Sequence, residues 1–255
     1  MTGANSIIQA FADSIGAKYG TIETYGLALR KHGWWPPTKR GKGSRPATFM
    51  DAAKLALAVL AGGSTEFQKG FIDVMNMVPL PSEADTLLYQ EVRARLGLDR
   101  SAAFVDFVAA LVHLYAEERT GELIFHAPCP DGQLDDFVYD GPSADITISG
   151  PLITGQISFV LSRDMCASLV AAGLSEKDVR GVKSIAFVHQ LYGWAASAAK
   201  ETATGETPEN YLNAIEALRR EHARGVRLAR TIGGRELDAL GRAFRDADDE
   251  MEGHP

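Results

Sequence analysis

Residues Gly16 to Lys54 read GAKYGTIETYGLALRKHGWWPPTKRGKGSRPATFMDAAK, and the punctuation of this stretch decides how the rest is read. Ile22, Tyr25 and Leu29 recur at steps of three and four, the spacing of one helical face, so a helix is predicted over 19–32. Gly33 suits the left-handed position that ends a helix, and Pro36-Pro37 bars its resumption. Trp34 and Trp35 are expected to anchor the corner, half-buried. From Thr38 to Pro46 there is no residue able to build a core, which predicts a solvent-facing loop or short hairpin. Gly41 and Gly43 let its backbone come close to another surface. Thr48 with Asp51 is spaced as a capping box. The closing helix that follows carries Ala52, Leu55, Ala56, Val59 and Leu60 on its apolar side and stops at Gly62-Gly63-Ser64.

Before this stretch, Ile7, Ile8, Phe11 and Ile15 form the face of a first helix, capped by Asn5 or Ser6 and ended by Gly16. After it, Phe67, Phe71, Ile72 and Val74 suggest a short helix before Pro79 and Pro81. Ser82 and Asp85 look like the cap of a helix to about Leu96. Ser101 to Arg119 is the most apolar helical run and is expected at the centre of a second domain. The period then changes. Glu122–Phe125, Phe137–Tyr139, Ala144–Ser149 and Gln156–Leu161 are short, β-branched or aromatic, and predict a small antiparallel sheet within about 122–161, with a turn at Gly150-Pro151. Helices are expected again over Asp164–Ala172, from Ser175 to Lys200, from Thr207-Pro208 to about Thr231, and over Arg235–Glu252, ending in an acidic tail.

Charge divides along the same line. Residues 1–62 carry eight Lys/Arg and three acids, a balance of +5, while the remainder carries 18 basic and 30 acidic residues, a balance of −12. A basic module on an acidic body is the pattern of a chain that meets a polyanion with one end only. Two cysteines without a CxxC predict no disulfide framework and a reducing, cytoplasmic setting. No leader is predicted, since the first residues lack a basic stretch followed by an apolar one, and no membrane span, since no apolar run reaches about 18 residues.

Residues 5–62, on the motifs IIQAFADSIGAKYGTIETYGLALRKHGWWPP and TKRGKGSRPATFMDAAKLALAVL, resemble winged helix-turn-helix DNA-binding domains of bacterial and phage regulators. The resemblance covers a quarter of the chain, and the wing departs from the pattern in lacking β-branched strands. It implies a recognition helix, 19–32, in the major groove and a basic loop, 38–46, on the DNA backbone. Read residue by residue, Lys18, Tyr19, Thr21, Glu23, Thr24, Arg30 and Lys31 become candidate contacts from the helix. Lys39, Arg40, Lys42, Ser44 and Arg45 become candidate contacts from the loop.

Other chemistries find little footing. Gly41-Lys42-Gly43-Ser44-Arg45-Pro46 follows no strand and is no phosphate cradle, and no GxxxxGK[ST] occurs. His113, His126, Cys129, His189 and His222 are scattered, without HExxH, and there is no GxSxG. Asp106, His113 and Glu117 share one side of the apolar helix and read as a polar stripe. The expectation is therefore an α+β, mostly helical protein with a DNA-binding domain over 1–62 and a helical body with a small sheet over 63–255. It is expected to act on double-stranded DNA as a homodimeric transcriptional regulator, without enzymatic activity, cofactor or metal. One alternative is a phage terminase small subunit, which would form a larger ring for DNA packaging. The other is a ligand-binding or enzymatic domain at 122–161.

Overall fold

The computed structural model describes residues 3–36, 45–62, 67–125, 143–149, 154–188 and 230–252. Helix α1, Ala4–Ser14, buries Ile7, Ile8 and Phe11 as its spacing predicts. A turn through Gly16, at φ 65°, leads to α2, Tyr19–Lys31, which lays Ile22 and Leu29 on α1. Helix α3, Phe49–Ala61, begins with the expected capping box: Thr48 Oγ1 accepts from the Asp51 N–H at 3.3 Å, and the Asp51 carboxylate accepts from the Thr48 N–H at 2.8 Å.

The helices α4 (Phe67–Met75), α5 (Pro81–Ala84), α6 (Leu87–Arg95) and α7 (Phe104–Ala116) follow, then a 3-10 turn at Thr120–Glu122. Strands β1 (Val78–Pro79), β2 (Ala144–Ser149), β3 (Thr154–Val160), β4 (Val182–Val188) and β5 (Arg230–Ile232) make one sheet, in the order β1-β4-β3-β2-β5. All its neighbours run antiparallel. Helices α8 (Arg163–Ala171) and the one-turn α9 (Glu176–Val179) lie between β3 and β4, and α10 (Gly234–Glu252) follows β5. The protein is thus mostly helical α+β. Among the described residues no helix is long and apolar enough to cross a membrane.

Alternation along the strands sends one side of the sheet inward. Ile146, Ile148, Ile157, Phe159, Ile185 and Phe187 are buried. Phe187 meets Phe104 and Phe107 of α7 at ring-centre distances of 4.9 and 5.0 Å. The other side is hydroxylated: Thr147 bonds Thr231 at 2.8 Å and Ser158 bonds Ser184 at 3.1 Å. At Gly155 a Cβ would stand 2.6 Å from Met77 Cε and 2.9 Å from Phe104 Cζ, so β3 lies against α7 with no room for a side chain. Helix α10 approaches α7 as closely, because a Cβ at Gly241 would stand 2.8 Å from the Tyr115 carbonyl carbon.

Helix α3 is the joint of the molecule. It touches α1 and α2 as well as α4, α7, β2 and β5. One buried cluster consequently has members from Ile7 to Phe244. Gly62 sits at φ 60° under the Arg230 guanidinium, which donates to the Val59 carbonyl at 3.3 Å and closes the end of α3.

Five expectations are corrected. Helix α1 starts at Ala4 with extended Gly3 as its N-cap and no side-chain cap, so Asn5 and Ser6 lie inside the helix and do not cap it. The helix predicted from Ser175 to Lys200 is, as far as Val188, one turn, α9, followed by strand β4; 189–200 lie outside the described residues. Ser175 does cap α9, but Arg180 is extended and Gly181 turns at φ 76°, which ends the helix. The helix predicted to about Thr231 does not include its last residues, because Arg230–Ile232 is strand β5; 207–229 lie outside the described residues. The helix from Ser82 to Leu96 is two, broken at Asp85-Thr86, with Thr86 capping the second through the Tyr89 N–H at 3.1 Å. The segment 122–125 is no strand but a 3-10 turn and a single bridge, Ile124 to Leu161. The sheet therefore draws on residues from Val78 to Ile232, far beyond 122–161. Phe137–Tyr139, Gly150-Pro151 and Thr207-Pro208 lie outside the described residues.

Candidate nucleic-acid interface

Helix α2 is positioned at both ends by backbone, not by side-chain caps. Lys18 is extended and its carbonyl accepts from the Thr21 N–H at 2.9 Å. At the other end Trp34 N–H donates to Leu29 O at 2.9 Å and Gly33 N–H to Arg30 O at 3.0 Å, with Gly33 at φ 73°. That is a Schellman closure, which satisfies two of the last carbonyls. The Trp34 ring lies 5.4 Å from Phe71 and 5.1 Å from His32, and Trp35 is buried beneath. Gly26 lets α2 settle on α1, since a Cβ there would stand 3.0 Å from Ile8 Cδ1. The helix is held along one stripe and open elsewhere.

Gly20, Thr24, Leu27 and Lys31 recur at steps of four, three and four, which makes them one line along the helix. All four are exposed, with Thr21 beside them and Lys18 at the entrance. Thr24 Oγ1 donates to the Gly20 carbonyl at 2.8 Å. Leu27 is 51% exposed. The line is some 16 Å long at about 1.5 Å per residue.

The remaining candidates go elsewhere. Arg30 is partly buried, and its Nε donates to the Pro36 carbonyl at 3.1 Å, fixing how the chain leaves α2. Arg45 makes a two-pronged pair with Asp51, at 2.7 and 2.9 Å. This guanidinium buttresses the start of α3. Burial pushes the Asp51 carboxyl upward, but the Arg45 fork and two bonds from Thr48 outweigh it and hold the group below the usual carboxylate range. Glu23 is half-buried. Tyr19, also half-buried, has its hydroxyl held protonated, first by burial and then by Glu23. It is one of the residues lining an open groove of about 780 Å³ between α1 and α10, with Gln9 and Asp13 from one and Arg235 and Arg242 from the other. Lys39, Arg40, Lys42 and Ser44 lie outside the described residues.

The structure thus brings Lys18, Thr21, Thr24 and Lys31 to one open face and gives Arg30 and Arg45 structural bonds. The residue not anticipated is Leu27. A signal for it existed: at about 100° per residue it lies some 140° around the helix from buried Ile22. Asp106 and His113, the polar residues of α7, also have structural partners. Asp106 accepts from the Ala103 N–H at 2.8 Å, and His113 pairs with Glu117 at 2.9 Å. Among the described residues no group of three or more His, Cys, Asp or Glu is placed to hold a metal ion. No model of a known protein family matches the chain, and no curated protein or solved structure matches it either.

Proposed function

We propose that this protein binds double-stranded DNA sequence-specifically, with α2 in the major groove and the basic loop 38–46 on the phosphate backbone. The observation that carries this reading is the open line Gly20–Lys31 on a helix whose two ends and inner stripe are firmly held. A helix of about 10–12 Å diameter fits the major groove, about 12 Å wide. Lys18 and Lys31 stand at opposite ends of α2, where a helix lying in a groove meets the flanking phosphates. The loop adds three more cations, Lys39, Arg40 and Lys42, within four residues. One such helix reads too few base pairs for useful specificity, so we propose a homodimer on paired half-sites, in the role of a bacterial or phage transcriptional regulator.

The test is selection of bound sequences from random duplex DNA with the full chain, followed by salt titration. One sequence class should enrich. Changing Lys39, Arg40 and Lys42 together to Ala should weaken all sequences alike and flatten the log–log salt slope by about 0.9 for each phosphate no longer neutralised. Failure of any duplex to enrich, with affinity indifferent to salt, would remove the DNA reading. Unchanged affinity and slope in the triple variant would remove the loop from it.

A further inference from the structure

The line Gly20–Thr24–Leu27 that leads to Lys31 offers no hydrogen-bond donor of its own before that lysine; the exposed Thr21 hydroxyl lies beside it, about 60° around the helix from Thr24. Gly20 has no side chain. The proton of the Thr24 hydroxyl is engaged at the Gly20 carbonyl, 2.8 Å away, which leaves its methyl and its oxygen lone pairs outward. Leu27 comes next, half in solvent. Lys31 ends the line. Guanine is read in the major groove by Arg or Lys and adenine by Asn or Gln, and the middle of this line holds none of them. The base feature that an aliphatic side chain and a threonine methyl do match is the thymine C5 methyl, which projects into the same groove. Thr24 and Leu27 are three residues apart, about 4.5 Å along the helix axis, close to the rise of one base step, about 3.4 Å.

Resting on the DNA-binding reading, we infer that Thr24 and Leu27 read the methyl groups of two consecutive thymines, so that the preferred site contains a TT step on one strand. A lone exposed leucine is ordinary on a protein surface. Two features set this one apart: its line ends at Lys31 with Lys18 at the entrance to the helix, and its nearest neighbour on the line, Thr24, has turned its polar proton inward. A second copy of this chain is a poorer occupant. A stable protein interface needs about 800 Å² from each partner, and this apolar spot is one side chain wide with charged ends.

The experiment uses the full chain and its selected duplex. Each thymine in turn is replaced by deoxyuridine, which removes the methyl and keeps the pairing. At two consecutive positions affinity should fall about fourfold each, the worth of one buried carbon. Leu27→Ala should lose a similar factor on the methylated site and become indifferent to uracil at one of the two positions; Thr24→Ala should do so at the other. Uracil tolerated at every position would overturn the inference while leaving DNA binding intact. So would a methyl effect that persists in both variants, or a loss of self-association in Leu27→Ala with DNA affinity unchanged. If no duplex enriches at all, the DNA reading falls and this inference with it.

Discussion

Helices α2 and α3 are neighbours of equal length, thirteen residues each, and the protein uses them in opposite ways. Nine residues of α3 are buried, among them six alanines or leucines in the run Leu55–Ala61. Only Ile22, Gly26 and Leu29 of α2 are. Small alanines let α3 lie close to several partners, which is why one helix can join α1 and α2 to α7 and the sheet. Its start is fixed by Thr48, Asp51 and Arg45, and its end by Arg230. Helix α2 is held just as definitely at its ends, yet commits little of its surface to the core. A helix so rigid and so open adds little stability for its length, and this mismatch motivates a recognition role.

The sharpest test of the contrast is one chemical change made on both helices. Leu57 of α3 has no exposed surface, and Leu57→Ala removes buried methylenes and leaves a cavity, which should cost about 2–5 kcal/mol. The same truncation at Leu27 of α2 should shift stability by no more than about 0.5 kcal/mol, because half of that side chain already stands in solvent and Ala is a good helix former. Urea midpoints read both. Equal losses would mean that the outward face of α2 is covered in solution, and the comparison would fail.

A smaller effect is expected at the start of α3. Asp51 is 1% exposed, and removing its cap bonds in Asp51→Ala should cost about 1–2 kcal/mol. Because the folded carboxyl is held below its ordinary range, its contribution is fully present above the unfolded value, about 3.9, and is lost as pH falls through the lower folded value. The wild type and Asp51→Ala should therefore differ in stability at neutral pH and converge in strong acid. A constant difference from neutral to acid would show that the charge of Asp51 contributes nothing. Helix α2, with no side-chain cap, should show no counterpart.

How much of the fold is legible in the sequence depends on how local the cause is. Helices α1, α2 and α3 can be read because Ile7, Ile22, Leu29 and the Thr48–Asp51 box act within a few residues of themselves. Strand β2 can be read because Ile146 and Ile148 alternate with Thr147 and Ser149. Strand β4 cannot. Ser175 is a true cap, and the apolar residues of VKSIAFV fit a helix as well as a strand; what decides is pairing with β3 and β1, distant in sequence. At two residues, β1 has no period at all, and Pro79 is tolerated because the strand lies at the sheet edge. On the interface, charge alone nominates Arg30 and Arg45. Their partners, the Pro36 carbonyl and the Asp51 carboxylate, lie six residues away through a turn that composition does not describe. Leu27 is hidden for a different reason: a search for polar groups passes over an apolar side chain on the outward side of its helix.

The smallest expected effect bears on the exposed line of α2. Thr24 is exposed, and its hydroxyl bonds back to a carbonyl four residues earlier, an arrangement that competes mildly with the helix's own bond there. Thr24→Ala removes that competition and replaces a β-branched residue with the best helix former, so α2 should be unchanged or gain up to about 0.5 kcal/mol. If the bond instead held the helix in shape, the variant would lose more than about 1 kcal/mol, the typical worth of one intramolecular hydrogen bond. Thermal melts at fixed pH distinguish the two. A raised melting temperature would mean that threonine at this position gives up helix stability, and a neutral one that its hydroxyl bond adds nothing to the fold; either leaves the side chain free to serve something outside it. A lowered one would make Thr24 part of what holds α2 together, and the contrast with α3 would narrow to Leu27 alone.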